Sequence, residues 1–319
     1  MTRTVKAASI SVASNTSLLI LKTVVGLVTG SVGVLSAAVD SLNDLAASII
    51  ALLSVRASGR PADVEHPYGH GKIENVSAAA QAILIFAAAI YVIYEAIDRI
   101  ITPQPLVAPV WGMVVMVVTA VVDLIVSRYL LAVARETDSS AIRADAYHLT
   151  TDVWTAVGVF AALGLVELTG IRVFDPIVAL IVAAAILRVA VMLTLEAAGV
   201  LIDARLPEEE LREVEEILMK TPKVVGFHKL RTRRSGPTRQ IDYHLIVPGT
   251  MPVIEAHRLT ESIEDAIRRR FPHTTVVTHI EPDRITETSK PDTALRHRSS
   301  PRRPRAPRPR SRSYRSGAA

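Results

Sequence analysis

Six long apolar segments fill the first two thirds of the chain. Each approaches the ~20 residues that an α-helix needs to cross a bilayer. The third, fourth and sixth are strongly apolar, whereas the other three carry polar or charged side chains that neighbouring helices must shield. We therefore predict an all-α, six-helix transmembrane domain over residues 1–203. Its spans are expected at residues 7–28, 34–55, 76–97, 110–131, 144–165 and 176–197.

The pattern changes after the sixth segment, where acidic residues and short alternating runs replace the apolar stretch. An amphipathic helix follows Pro207, two strand-like runs (VVGFHKLRTRR and RQIDYHLIV) come next, and a second amphipathic helix precedes the strand TTVVTHIEP. The order αββαβ over residues 204–285 predicts a small two-layer α+β domain. Residues 286–319 consist mostly of Arg, Pro and Ser, and we predict a disordered tail because little apolar surface is available to bury.

Basic residues are divided unevenly among the loops. They occur before the first span, after the second and after the fourth, whereas the intervening segments TGSVG and TPQPLVAP contain none and the third, near ELTGIRVFD, has only Arg172. The positive-inside rule therefore predicts a multi-pass protein of the cytoplasmic (inner) membrane with both termini in the cytoplasm. No signal-peptide pattern precedes the first span, so we expect it to remain as a helix.

The net charge of +5 comes from the tail, because residues 291–319 hold nine arginines and one aspartate. A basic tail on the cytoplasmic side can lie against membrane lipids or touch nucleic acid loosely. We expect a solvated tail without a specific nucleic-acid partner. The composition, 50% hydrophobic and without cysteine, is typical of a membrane protein.

Two spans carry pairs of potential metal ligands. Asp40 and Asp44 are four residues apart and so lie on one helix face, about 6 Å apart along the axis. His148 and Asp152 repeat this spacing in the fifth span. Three carboxylates and one imidazole are a ligand count that tetrahedral zinc takes. The alternative is a structural set of charges satisfied by Lys22 or by hydroxyl neighbours.

The cost of charge within the membrane favours the metal interpretation. An ionised group at the centre of a span costs ~2.5–3.5 kcal/mol even on insertion scales, and three carboxylates converge here. Magnesium and calcium prefer six or more oxygen ligands, whereas a histidine among carboxylates favours a borderline transition metal. The absence of cysteine disfavours copper(I), which leaves Zn²⁺ as the favoured ion.

The motifs DSLND, HPYGHGK and RADAYHLTTD, in this order, resemble the cation diffusion facilitator family, and the resemblance covers about residues 7–285. It implies a homodimer that exchanges a divalent metal for protons and has metallochaperone-like cytoplasmic domains. It also implies a transport site at Asp40, Asp44, His148 and Asp152. A histidine in this set implies a zinc and cadmium transporter, although cobalt, nickel and iron(II) stay open.

The resemblance implies two further metal sites. Asp63, His66 and His70 form the first, in the loop PADVEHPYGHGK, with Glu65 as a possible substitute. The second site, at the cytoplasmic dimer interface, comprises His228, His244, His257, His279 and Glu281. Histidines in a polar loop or scattered over a small domain are ordinarily solvated, so spacing alone would not establish either site. Glu281 stands where the family has aspartate.

Three other charges call for an interpretation. Lys72 precedes the third span and Asp203 follows the sixth, so both lie near the cytoplasmic membrane boundary and are expected to form a structural charge pair. Asp123 lies in the middle of the fourth span. It is either a proton relay or a buried structural partner of Lys22 or Arg128.

Three functions remain: a metal/proton antiporter with alternating access, a non-transporting membrane-bound metal sensor or scaffold, and a membrane metalloenzyme. A catalytic zinc usually keeps three protein ligands and an open position. Four ligands are available here and no nucleophile motif accompanies them, so we expect no enzyme. A sensor could dispense with the intramembrane ligands. Their presence favours divalent metal efflux, driven by protons that compete with the ion for the same groups.

Overall fold

The computed structural model describes residues 1–102, 110–171 and 173–283. Three parts of the chain lie outside the described residues: the predicted disordered tail, most of the loop TPQPLVAP, and Arg172. Within them, six helices are long and apolar enough to cross a membrane. These helices are α1 (Arg3–Thr29), α2 (Val32–Ser58), α3 (Lys72–Ile101), α4 (Val110–Thr137), α5 (Ser140–Thr169) and α6 (Phe174–Leu201).

The six helices run for 27 to 30 residues, which is longer than the apolar windows in the sequence. Several of the extra turns carry charged residues, such as Arg3 at the start of α1 and Glu136 near the end of α4. Side-chain caps fix some of these ends. The Ser139 side chain accepts a hydrogen bond from the Ile142 N–H at the start of α5, and Gly170 ends the same helix with a φ of 71°. The predicted six-helix membrane domain is confirmed.

The membrane helices pack through small residues. Ala8 of α1 and Ala141 and Ala146 of α5 are fully buried in one cluster, which also contains residues of α2 and α4. Ala82 and Ala190 lie in a second cluster, between α3 and α6. Small side chains let helix backbones approach closely within a membrane. This packing places α2 and α5, the two helices with potential metal ligands, in one bundle.

The remaining elements form the predicted αββαβ domain. They are α7 (Glu208–Lys220), β1 (Gly226–Ser235), β2 (Thr238–Val247), α8 (Val253–Arg270) and β3 (Thr274–Pro282). The sheet order is β1-β2-β3, in which β1 and β2 are antiparallel and β2 and β3 are parallel. The α+β architecture predicted from the sequence is confirmed.

Burial alternates strictly along β2. Ile241, Tyr243 and Leu245 point into a core that α7 and α8 complete, and each is 1% exposed or less. The residues between them, including His244, are only partly buried on the other face of the sheet. This period of two is that of a sheet with one covered face. The other face carries the metal-capable side chains.

Candidate metal centres

The first candidate centre lies in the membrane, between α2 and α5. Asp44, His148 and Asp152 each offer a ligand atom, and these atoms lie within 4.8 Å of one another. His148 Nε2 is 3.2 Å from Asp44 Oδ1. Within the described residues, Asp152 Oδ2 and His148 Nδ1 are buried without a hydrogen-bond partner. Buried polar atoms normally have partners, so this centre has the unsatisfied donors and acceptors that an ion and its associated water can use.

Asp40 is not part of this group. It lies one helical turn from Asp44 on α2, where it is exposed. The four-residue spacing puts the two carboxylates on one face but about 6 Å apart along the axis. A shared face therefore does not by itself bring both side chains to one point. The structure brings together three of the four residues expected from the sequence.

The second candidate centre lies in the loop between α2 and α3. Asp63, His66 and His70 have ligand atoms within 4.8 Å of one another. Asp63 Oδ1 is 3.2 Å from His66 Nδ1, and Asp63 Oδ2 is 3.4 Å from His70 Nε2. The backbone N–H of His66 donates to Asp63 at 2.6 Å and holds the pKa of that carboxyl below its ordinary value. Asp63 is thus ready to ligate a cation at neutral pH.

The third candidate centre lies on the open face of the cytoplasmic sheet. The strand register aligns His228 of β1 with His244 of β2, and His244 with His279 of β3. Glu281 Oε1 is 2.6 Å from His244 Nδ1, and its Oε2 is 2.8 Å from His228 Nε2. Burial acts to raise the pKa of Glu281, but hydrogen bonds from His244 and His228 outweigh it and hold the pKa below its ordinary value.

The other two cytoplasmic candidates are placed differently. His279 Nε2 is 3.7 Å from Glu281 Oε1, and its ring centroid is 4.6 Å from that of His244, so His279 borders the cluster. His257 lies on α8 and is exposed, with Nε2 3.5 Å from Glu261. It does not belong to the three-residue group formed by His228, His244 and Glu281. Within one chain, the helix holds His257 away from the face on which the strands align the others.

Ionic contacts join the two domains. Lys72 Nζ donates to Asp203 Oδ1 at 2.8 Å, and Arg233 of β1 donates to Asp203 Oδ2 at 3.0 Å. The hydrogen bond from Lys72 has the largest effect on the pKa of Asp203, and together with that from Arg233 it holds this pKa below its ordinary value. The two residues singled out in the sequence are therefore in contact. Arg233 is an additional partner, which the one-dimensional pattern did not reveal.

The turn between β1 and β2 also contacts the membrane domain. The Gly236 N–H donates to Asn75 Oδ1 of α3 at 2.9 Å, and Asn75 donates to Ser140 of α5 at 3.2 Å. Arg239 of β2 lies 2.9 Å from Asp138, at the junction of α4 and α5. No sequence signal identified these contacts, because each joins residues more than 60 positions apart. We call them the hairpin contact.

Comparison with known proteins agrees with this architecture. Residues 8–202 match the cation efflux transmembrane domain, and residues 206–283 match the cytoplasmic domain of cation efflux proteins. The chain belongs to the cation diffusion facilitator family of cation efflux proteins. It is accordingly a multi-pass transporter of the inner membrane that exports divalent metal cations.

Individual relatives match over most of their length. The cation-efflux pump FieF of Cronobacter sakazakii is 41% identical over 267 residues, or 84% of this chain and 89% of that protein. FieF of Escherichia coli is 40% identical over 281 residues, or 88% of this chain and 93% of that protein. A solved structure of CzrB in its zinc form, described as a candidate zinc transporter, is 37% identical. It covers 25% of this chain and 91% of that one, with a TM-score of 0.24.

Proposed function

We propose that the protein exports Zn²⁺ from the cytoplasm in exchange for protons, through the intramembrane centre. The observation that carries this proposal is the convergence of Asp44, His148 and Asp152 from two membrane helices. Two carboxylates and an imidazole suit a borderline transition metal. Asp40 is the fourth ligand, and it joins when α2 and α5 close around the ion.

Proton coupling follows from the chemistry of the ligands. Each carboxylate and the imidazole must be deprotonated before it can bind the metal, so ion and protons compete for the same atoms. The centre accepts the metal when it is open to the cytoplasm. After the helices rearrange, protons from the outside displace the ion and occupy the same groups during the return. The two cargoes therefore cross in opposite directions by alternating access.

The cytoplasmic centre supports a second part of the proposal, that the transporter is a homodimer. The sheet face with His228, His244 and Glu281 is open in one chain, whereas the other face is covered by helices. We infer that the open faces of two cytoplasmic domains lie near each other and that zinc bound there stabilises the pair. We infer that both termini lie in the cytoplasm, which the distribution of basic loops supports.

The test is zinc flux into liposomes that contain the purified protein and an enclosed zinc-responsive dye. An acidic lumen is expected to accelerate zinc uptake, because luminal protons leave as zinc enters, and an alkaline lumen is expected to slow it. Asp44→Ala removes a carboxylate of the centre and is expected to abolish the flux. Asp98→Ala is the matched control, because Asp98 is an exposed aspartate on α3.

Two results would contradict the proposal. Zinc flux that is indifferent to the pH difference would exclude proton antiport. If liposomes with the wild type and with Asp44→Ala show the same background leak of zinc, while the cytoplasmic domain still binds zinc, a metal sensor or scaffold would be favoured. The relative rates for cadmium, cobalt, nickel and iron(II) in the same liposomes would define selectivity, which the ligand set alone does not determine.

A further inference from the structure

A buried carboxylate at the start of α3 contacts both helices of the intramembrane centre. Glu74 is 2% exposed. Its Oε1 accepts a hydrogen bond from Ser58 Oγ at 2.8 Å, and its Oε2 accepts one from Ser139 Oγ. Ser58 is the last residue of α2, and Ser139 is the N-cap of α5. One side chain thus fastens together the two helices that carry the candidate transport ligands. We call these three residues the Glu74 clasp.

Other residues of α3 extend the contact with the start of α5. Asn75 Nδ2 donates to Ser140 Oγ at 3.2 Å, and Gln81 Nε2 donates to the backbone oxygen of Ala141 at 3.5 Å. Together with Glu74, these side chains bind three consecutive residues of the chain where α5 begins. Asn75 is also part of the hairpin contact. The clasp therefore lies on the side of the membrane domain that faces the αββαβ domain.

The clasp is separated from the intramembrane centre along both helices. Ser58 lies 14 residues after Asp44, or ~21 Å along α2. Ser139 lies 9 residues before His148, or ~14 Å along α5 at its start. An ion that reaches the centre from the cytoplasm by passing between α2 and α5 must cross the level of the clasp. Joined helix ends close that approach.

The hydroxyl of Ser58 has two alternative acceptors. Besides Glu74 Oε1, its Oγ lies 3.2 Å from the backbone oxygen of Val55 in the preceding turn of α2. A hydroxyl has a single proton to donate, so Ser58 can release Glu74 and still keep a hydrogen bond. The released carboxylate oxygen is then free to meet the water that enters as the helix ends separate. The α2 arm of the clasp thus has a closed and an open arrangement, and each satisfies the Ser58 donor.

We propose that Glu74 is the positioning residue of a cytoplasmic gate. This inference rests on the proposed function, because a gate is needed only if the centre is exposed to the two sides of the membrane in turn. With the clasp closed, α2 and α5 are held together and the centre is shut off from the cytoplasm. Zinc enters when Ser58 turns to Val55 and the helix ends part. The clasp forms again before the centre opens to the outside.

Zinc uptake by Ser58→Ala liposomes tests the gate. This variant removes only the α2 arm of the clasp, so the state that is open to the cytoplasm becomes more populated. Apparent affinity rises with the fraction of protein that is competent to bind. The zinc concentration for half-maximal uptake should therefore fall by about 3- to 10-fold, while the maximal rate also falls because closure has lost a stabilising bond. Damage to the ligand arrangement would raise the half-maximal concentration instead.

Two serine variants are matched controls. Ser54→Ala removes a hydroxyl one turn earlier on α2, where Ser54 is 5% exposed and donates to the Ala51 carbonyl of its own helix. Ser58→Thr keeps the hydroxyl that Glu74 binds. Both are expected to behave as the wild type. A half-maximal concentration in Ser58→Ala that is unchanged or raised would overturn the clasp and leave the transport function intact. Absence of proton-dependent flux in the wild type would overturn the proposed function itself.

Thiol accessibility measures the gate without any turnover. The chain contains no cysteine, so Ser48→Cys introduces a unique thiol. Ser48 is fully buried on α2, one turn from Asp44 in the direction of the clasp. A water-soluble thiol reagent, added to inverted membrane vesicles that expose the cytoplasmic face, reports how often this position opens.

Modification of Ser48→Cys is expected to be about tenfold faster when it is combined with Ser58→Ala. Glu74→Gln keeps the size of the side chain but removes its charge, and it should also accelerate the modification. Ser54→Ala should leave the rate unchanged. Equal rates with and without Ser58→Ala would overturn the gate, whatever the zinc flux of these proteins.

Discussion

Asp44 of α2 contacts two other helices, α5 through its side chain and α1 through its backbone. Its Oδ1 lies 3.2 Å from His148 Nε2, and its backbone carbonyl accepts a hydrogen bond from Asn15 Nδ2 at 3.1 Å. Asn15 is 2% exposed, so the bond is sheltered from water. This contact from α1 holds the turn of α2 that carries this candidate ligand.

Asn15→Ala is expected to weaken zinc binding without removing a ligand. Loss of a hydrogen bond costs ~0.5–1.5 kcal/mol, so the zinc concentration for half-maximal uptake should rise by about 2- to 12-fold. The measurement is uptake into liposomes as a function of zinc concentration. Ser17→Ala is the control, because Ser17 is an exposed residue of the same helix that donates to the carbonyl of Ala13 in α1. An unchanged half-maximal concentration would show that Asn15 does not position Asp44.

Glu281 stabilises the metal-free cytoplasmic domain through its charge. Its pKa in the folded protein lies below the ordinary value of 4.5, because hydrogen bonds from His244 and His228 outweigh the opposing effect of burial. A carboxyl with a lowered pKa contributes stability that is complete above the unfolded pKa. That contribution disappears as the pH falls through the folded pKa.

Glu281→Gln is therefore expected to lower the unfolding temperature in the presence of a chelator at pH 7. The difference from the wild type should shrink as the pH falls below about 4.5. Thermal unfolding in detergent at a series of pH values measures both quantities. Glu215→Gln is the control, since Glu215 is an exposed glutamate on α7. A temperature difference that stays constant into the acidic range would contradict the electrostatic explanation.

At the scale of whole elements, the turn between β1 and β2 fits against the start of α3. Gly236 has a φ of 57°, and a Cβ added there would lie 2.5 Å from the backbone oxygen of Gly71. Only glycine satisfies both the left-handed backbone and the close approach. The hairpin contact thus depends on two glycines that face each other across the domain boundary.

Gly236→Ala is expected to detach the turn from α3. The matched control is Gly170→Ala, because Gly170 has a similar φ of 71° but open space around the position of a Cβ. Comparison of the two separates backbone strain from steric conflict. Hydrogen exchange at the start of α3 should accelerate in Gly236→Ala and stay unchanged in Gly170→Ala. Unchanged exchange in Gly236→Ala would show that the turn does not hold the domains together.

The elements themselves could be predicted from local pattern, because apolar length and alternation report on each segment alone. The four-residue spacing placed Asp40 and Asp44 on one face, and His148 and Asp152 likewise. It could not determine which of the four side chains meet. The rotation of α4 about its axis, which leaves Asp123 only 3% exposed, depends on packing with the neighbouring helices. Such a rotation has no signature in a single helix.

At the scale of the whole molecule, zinc is expected to stabilise the cytoplasmic sheet through linkage. An ion present at 100 times its dissociation constant adds ~2.7 kcal/mol of stability to the state that binds it. Hydrogen exchange in β2 should therefore slow when zinc is added. His244→Ala is expected to abolish this protection, whereas Asp44→Ala should retain it. Equal protection in both variants would show that the cytoplasmic cluster does not bind the ion.

The row of His228, His244 and His279 has a consequence for biosynthesis. Each histidine comes from a different strand, and the last of them lies on β3, beyond all six membrane helices in chain order. No earlier segment can assemble this row by itself. During translation the ribosome therefore delivers every membrane helix before the last histidine of the row emerges. The row is complete only after the membrane half of the chain has been synthesised.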